Sequence, residues 1–423
     1  MQEGLEKVKF VKRYLENEIP VVMEPFKNVR SVAVGIWVKV GSRYETSEEN
    51  GISHFLEHMF FKGTRKRTTK DIAVEADSIA GDLNAFTSRE NTAFYIKVLD
   101  EYLGKGIDLL SDIFVNSTFP ENEVEKEKKI IKEEIKMVED TPDDYVHDLF
   151  SHMIWGNEGL GQPILGRRET IASFGREDLL THIRRYYGSK DIVVACAGNF
   201  APDELMGMLG RHFSSLRRGS EPRKGSPASF RRNVKVYTKD ISEAHLCIGV
   251  PGISQTSEER YTFFLLNTML GAGVSSRLFQ EIREKRGLAY SVYSFTSSYM
   301  DAGLWGVYAG VSKKRVAEVA ELIIHEMLHL SDTLTEIELE RAKKHLKGNL
   351  ILSLESTSSR MNNIARQEMY FGRYISTDEI IASIERVRLH DVRALSEKLI
   401  KKDLFAVTAY GPLQKNVLGG LLA

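Results

Sequence analysis

Two kinds of apolar pattern alternate along this chain. Uninterrupted apolar runs, such as VAVGIWVKV at residues 32–40 and AHLCIGV at 244–250, are typical of buried strands. Between such runs, apolar residues recur every three or four positions, which indicates helices with one buried face. Strands interspersed with pairs of helices predict an α+β fold, in which a sheet is covered by helices on one face.

The two halves of the chain repeat this pattern. The clearest match sets EVEKEKKIIKEEI at residues 123–135 against ELERAKKHLKGNL at 338–350, two amphipathic segments with the same rhythm of charge. Such self-similarity predicts two homologous α+β half-domains that arose by internal duplication. A stretch rich in Ser, Gly, Pro and Arg at residues 214–232 is the predicted linker, so the domains are expected at 1–213 and 233–423.

Composition and charge exclude several classes of protein to which this chain could belong. A length of 423 residues excludes one small module, and 28% charged residues are typical of a folded globular chain. A formal charge of −1 gives no global attraction to nucleic acid or to an anionic membrane, so neither is an expected partner. The N-terminal residues lack a signal-peptide pattern and no long apolar run suggests a transmembrane span, which leads us to expect a cytoplasmic protein.

The only two cysteines lie inside strand-like apolar runs. Cys196 and Cys247 are therefore expected to pack as small apolar side chains. A disulfide framework and a thiolate zinc site are both excluded by this count.

The strongest chemical signal is HFLEHMFFKGT at residues 54–64. At about 100° per residue, His54, Glu57 and His58 lie on one side of a helix. The other side carries an apolar stripe of Ile52, Phe55, Leu56, Met59 and Phe60. Two imidazoles four residues apart can bind one zinc ion, and a glutamate beside them can take a proton from water.

A hydrolytic zinc site needs a third protein ligand, so a carboxylate should project from another helix. Glu127 and Glu134 of the repeated helix are seven residues apart and share one face. Without such a ligand the histidine motif could be a plain polar helix face, because a pattern this short also arises by chance.

Together, the motif at 54–64, GDLNAFT at 81–87 and the pair Glu133-Glu134 resemble the pitrilysin-type zinc metallopeptidases. Within that family, the chain is most similar to the mitochondrial-processing-peptidase-like subfamily and its bacterial relatives, which share the inverted H-x-x-E-H motif. The likeness extends from about Lys9 to near Gly411. It implies that the paired half-domains form one half of a clam-shell.

The resemblance also implies the roles of individual residues at the metal. Zinc is expected to be held by His54, His58 and Glu134, with Glu127 supporting the site from behind. Glu57 is expected to be the catalytic base. In the second half, Ala342 and Asn349 stand where the first half has its two glutamates, so one zinc ion per chain is expected.

Substrate contacts are implied in the same way. An exposed edge strand is expected to take up the peptide as an added β-strand, through Asn84, Ala85, Phe86 and Thr87. Arg283 and Tyr290 of the second half are expected to be catalytic as well, by stabilising the developing oxyanion. The apolar pattern alone would assign Tyr290 to the core.

A competing motif, HEMLH at residues 325–329, matches the ordinary H-E-x-x-H pattern. Both histidines lie opposite the buried stripe of a predicted helix that ends at 331–333, and no family resemblance surrounds them. We therefore predict that His325 and His329 form a solvated surface.

The expected function is a zinc-dependent endopeptidase acting on short peptides, unfolded proteins or presequence-like segments. The resemblance implies a homodimer or a heterodimer with an inactive paralogue. Two alternatives remain open: a non-catalytic peptide-binding or scaffold subunit of a hetero-oligomeric processing complex, and a structural metal-binding protein without turnover.

Overall fold

The structure is a computed structural model that describes residues 9–219, 225 and 228–422. Within these residues the strands are β1 (Val11–Tyr14), β2 (Pro20–Pro25), β3 (Ser31–Val38), β4 (Asp82–Thr87), β5 (Thr92–Leu99), β6 (Ile192–Gly198), β7 (Val234–Thr238), β8 (Ala244–Pro251), β9 (Ala289–Ser298), β10 (Gly303–Val311) and β11 (Ala406–Gly411). The helices are α1 (Ile52–Met59), α2 (Thr69–Ser78), α3 (Leu103–Asn116), α4 (Glu121–Glu139), α5 (Pro142–Trp155), α6 (Arg168–Ser173), α7 (Arg176–Tyr186), α8 (Pro202–Phe213), α9 (Arg260–Gly271), α10 (Val316–Leu328), α11 (Leu330–Thr333), α12 (Glu336–Ser353), α13 (Thr357–Phe371), α14 (Thr377–Arg386) and α15 (Leu389–Leu399). Much of the predicted linker, at residues 220–224 and 226–227, lies outside the described residues.

The described residues form two compact units, and each unit draws on both halves of the sequence. The first contains the chain up to Ile135, a segment that starts at Gln162, and Leu352–Tyr374. The second contains Lys136–Gly161, the chain from the linker to Ile351, and the chain from Ile375 onward. The first unit therefore includes α13 and the second includes α5. The domains predicted at 1–213 and 233–423 describe sequence repeats, whereas these units describe packing.

The first unit is built on a six-stranded sheet in the order β1-β2-β6-β3-β5-β4. β6 runs parallel to β2 and antiparallel to β3, and β4 pairs with β5 at the sheet edge, with Asn84 opposite Tyr95. On one face, helices α1, α3 and α4 bury apolar side chains such as Phe55, Ile107 and Ile131. This is the helix layer that the apolar periodicity predicts.

The opposite face of the same sheet is covered by α13. Met361, Ile364 and Ala365 of this helix are buried against Trp37 and the small apolar side chains of the central strands. A strand that is buried on both faces carries apolar residues at consecutive positions instead of alternate ones. This explains the uninterrupted run at 32–40, and α13 is an addition that the sequence analysis did not anticipate.

The second unit repeats the plan with a five-stranded sheet in the order β7-β11-β8-β10-β9. β11 runs parallel to β7 and antiparallel to β8, as β6 does with β2 and β3. Helices α9, α10 and α15 cover one face, while Phe150 and Ile154 of α5 pack on the other face beside Cys247. The two half-domains and the α+β class are thereby confirmed. Among the helices described, none is long and apolar enough to cross a membrane.

Candidate active site

Helix α1 presents the H-x-x-E-H motif to one side of the first unit. Its apolar stripe is anchored in the core, since Ile52, Phe55 and Met59 are at most 2% exposed. A helix held on that face must direct the remaining side chains, including those of His54 and His58, to its other side.

The start of α1 is fixed by Glu45, a buried residue that the sequence analysis missed. Its carboxylate accepts hydrogen bonds from the backbone N–H groups of Gly51 and Ser53, both at 2.8 Å, and from Asn50 Nδ2 at 3.2 Å. Burial raises the pKa of Glu45, and these hydrogen bonds oppose the rise. A carboxylate at a helix N-terminus also interacts favourably with the helix dipole. Because Glu45 lies in a loop outside the motif, no local spacing indicates this role.

Three candidate metal ligands converge where α1 meets α4. Glu134 Oε2 lies 3.6 Å from His54 Nε2 and 3.5 Å from His58 Nε2. Ligand atoms bound tetrahedrally to zinc at about 2.0–2.2 Å are about 3.3–3.6 Å apart. In the part of the chain that the structure describes, this is the only group of three His, Cys, Asp or Glu side chains whose ligand atoms lie within 4.8 Å of one another. The donor set and its spacing therefore fit a zinc ion.

The neutral state of His54 and the orientation of His58 both suit a metal. Burial, followed by the nearby charge of His58, lowers the pKa of His54 to about 3, so this ring is neutral at physiological pH. Only the neutral ring offers a lone pair to a metal. His58 Nδ1 lies 3.0 Å from Glu127 Oε2, which leaves Nε2 of the same ring facing Glu134.

Glu127 is itself tied down by Lys62, whose Nζ lies 2.6 Å from Glu127 Oε1. Burial raises the pKa of Glu127, but the hydrogen bonds from His58 and Lys62 outweigh it, so the pKa falls below its ordinary value. The structure thus brings Glu127 into contact with His58, and its supporting role toward a metal stays a prediction. Lys62 was missed, although its place four residues after His58 was a signal.

Glu57 lies on α1 beside the histidines and is half-buried. Burial raises its pKa, hydrogen bonds from Thr87 lower it, and the charge of Glu134 raises it again. Its Oε2 atom is buried and has no hydrogen-bond partner among the residues that the structure describes. A carboxylate with a raised pKa and an unpaired oxygen can accept a proton at neutral pH.

The strand β4 runs along this site at the edge of the sheet. Asn84 is exposed, and Ala85, Phe86 and Thr87 are partly exposed. Through Thr87, the strand contacts Glu57. An edge strand leaves backbone N–H and C=O groups unpaired, and an extended peptide can pair with them.

Arg283 and Tyr290 lie in the second unit. Arg283 is on the helical turn Phe279–Glu284, where its guanidinium stands 5.0 Å from the ring centre of Phe279. Tyr290 is 61% exposed near the start of β9. The apolar pattern alone would bury Tyr290, which is wrong: within β9, Ala289 is buried and the neighbouring side chain of Tyr290 is exposed. The role of both residues toward the substrate stays a prediction.

The competing H-E-x-x-H motif lies at the end of α10. His325 and His329 are exposed, and their rings stack at 4.2 Å. His329 Nδ1 lies 2.9 Å from the backbone oxygen of His325. Among the described residues, no third His, Cys, Asp or Glu side chain completes a metal cluster with them.

A His-His-Glu cluster on facing helices, next to the open edge of a sheet, is typical of zinc metallopeptidases. Comparison with protein families agrees: the insulinase (peptidase M16) model matches residues 21–168, and the peptidase M16 inactive domain matches residues 173–346. An uncharacterized zinc protease of Bacillus subtilis is 43% identical over 95% of this chain and 98% of its own length. Another from Streptomyces coelicolor is 39% identical over 95% and 89%. The chain therefore belongs to peptidase family M16 and is a zinc peptidase.

Solved structures show the same fold at low sequence identity. The peptidase M16 inactive domain from Pseudomonas fluorescens superposes with a TM-score of 0.90, at 16% identity, over 96% of this chain and 99% of its own. A protease from Helicobacter pylori gives a TM-score of 0.88 at 22% identity, over 96% and 100%. At these identities the likeness establishes the architecture alone.

Proposed function

We propose that this chain is an endopeptidase that cleaves short peptides and unstructured segments, and that His54, His58 and Glu134 hold its zinc ion. The observation that carries the proposal is the convergence of these three side chains next to the open edge of β4. A zinc ion at such a site lowers the pKa of water and polarises a carbonyl group.

Glu57 is the general base in this proposal. Its unpaired Oε2 accepts the proton of the attacking water and then passes that proton to the leaving amine. Thr87 of β4 lies close enough to Glu57 to lower its pKa, against the effect of burial. The proposed base therefore lies next to the strand on which the substrate binds.

The substrate binds as an extended strand along residues 84–87. Main-chain hydrogen bonds supply most of the affinity in this mode, so the selection is for an accessible backbone more than for particular side chains. Folded proteins are poor substrates because their backbone groups are already paired. Arg283 and Tyr290 complete the proposal as stabilisers of the oxyanion. A cytoplasmic location and a dimer, with a second copy or with an inactive paralogue, belong to the same proposal.

The test is a digest of a random peptide library, read by mass spectrometry. We expect cleavage at internal bonds, loss of cleavage with a chelator and recovery when zinc is added back. The matched control is His58→Ala, which should neither retain zinc firmly nor cleave. If the wild-type protein binds zinc and peptides but leaves every peptide intact, the endopeptidase proposal fails and the alternative of a peptide-binding subunit is supported.

A further inference from the structure

We infer that Lys62 is a positioning residue for the zinc ligand His58, an inference that rests on the function proposed above. The chain keeps turning after the end of α1. The N–H of Phe61 lies 3.3 Å from the backbone oxygen of His58, and the N–H of Lys62 lies 3.1 Å from that of Met59. This turn carries the lysine side chain back beneath the second histidine of the motif.

Two contacts link Lys62 to the ligand. Its Nζ lies 2.6 Å from Glu127 Oε1, while His58 Nδ1 lies 3.0 Å from Oε2 of the same carboxylate. Each oxygen therefore has its own partner, and rotation of the carboxylate would break both contacts. Glu127 and the ligand Glu134 both project from α4, so this carboxylate also ties α4 to α1.

Because the carboxylate of Glu127 is buried, it needs the positive charge of Lys62. Glu127 is only 2% exposed, and a carboxylate removed from water is strongly disfavoured unless a cation and hydrogen bonds compensate it. Within the described residues, Lys62 is the only lysine or arginine that forms an ion pair with Glu127. Without that ammonium group, the carboxylate would be more stable if it turned toward water, and this rotation would take it away from His58.

The consequence for His58 is a fixed tautomer. A carboxylate can only accept hydrogen bonds, so its contact with Nδ1 requires a hydrogen on that nitrogen. In the neutral ring, Nε2 then carries the lone pair, and this atom lies 3.5 Å from Glu134 Oε2 in the ligand cluster. Lys62 acts through Glu127 to keep the ring in the orientation and tautomer that a metal needs.

The test compares Lys62→Met with the conservative Lys62→Arg. The matched control is Lys70→Met, which alters an exposed lysine on α2. Zinc affinity of the metal-free proteins is measured by competition with a chromophoric chelator. We expect Lys62→Met to weaken zinc binding by about 10- to 100-fold, Lys62→Arg to retain most of it, and Lys70→Met to match the wild type.

A second readout reports the tautomer directly. In the metal-free protein, ¹⁵N chemical shifts of the His58 ring should show hydrogen on Nδ1 in the wild type and a mixture of tautomers in Lys62→Met. In a Glu127→Gln background, Lys62→Met should change zinc affinity little further, because the lysine acts through that carboxylate.

Wild-type zinc affinity and wild-type ring shifts in a folded Lys62→Met protein would overturn the inference. Should that variant fail to fold, Lys62→Gln decides in its place: weaker zinc binding supports the role of the charge, and unchanged binding overturns it. A wild-type protein that does not bind zinc would contradict the proposed function instead, so the two failures are distinguishable.

Discussion

Replacing Glu57 with Gln separates metal binding from catalysis at this site. The amide has nearly the same size as the carboxyl group and can still accept hydrogen bonds from Thr87, but it cannot accept a proton. Loss of a general base typically lowers the rate by about 10² to 10⁴, which corresponds to about 2.7 to 5.4 kcal/mol in the activation barrier. The three candidate ligands are untouched, so zinc content should stay at one ion per chain.

The same substitution should not destabilise the metal-free protein. Burial raises the pKa of Glu57, which means that folding disfavours its charged form. This penalty is absent below the ordinary pKa of 4.5 and grows as the pH rises through the elevated value. At pH 7, metal-free Glu57→Gln should therefore be at least as stable as the wild type, with the difference shrinking toward pH 4.

Three measurements check this reasoning: kcat/KM on a quenched fluorescent peptide, zinc by atomic absorption, and the thermal midpoint of the metal-free protein at pH 4 and pH 7. We expect full zinc, a rate lowered at least a hundredfold, and an unchanged or raised midpoint at pH 7. A zinc-replete Glu57→Gln protein with a wild-type rate would refute the assignment of the base.

Further predictions concern the ligands, the helix start and the second histidine motif. Glu134→Gln should lose zinc during dialysis while Glu133→Gln keeps it, because the side chain of Glu133 is exposed on another side of α4. If atomic absorption gives the opposite result, Glu133 is the ligand and our assignment is wrong by one residue. Glu45→Ala should lower the free energy of unfolding by about 1–3 kcal/mol in urea titrations, since the first N–H groups of α1 lose their acceptor. An unchanged urea midpoint of unfolding would argue against this capping role. The double change His325→Ala and His329→Ala should preserve zinc content and peptidase rate, because both side chains are exposed. The free energy of unfolding should change by only about 0.5 kcal/mol. Loss of zinc would contradict the assignment of the metal site to the motif at residues 54–58.

Local periodicity was sufficient to predict many of the helices and strands and the faces that they bury. The i, i+4 spacing of His54 and His58 and the apolar stripe opposite them are properties of a few consecutive residues, and a helix converts them directly into one face. The match between 123–135 and 338–350 likewise predicts a repeated helix, and both segments are helical within α4 and α12. The buried strands at 32–40 and 244–250 follow from continuous apolar runs for the same reason.

The tertiary structure decided which distant elements meet. Nothing in the local pattern shows that α13 covers the first sheet or that α5 covers the second, because an apolar helix face does not specify its partner. The carboxylate of Glu45 at the start of α1 and the contact of Lys62 with Glu127 also depend on long-range packing. Sequence periodicity encodes which face of an element is buried, whereas the partner of a buried charge is chosen by the fold, since desolvation takes effect only once the chain has closed around it.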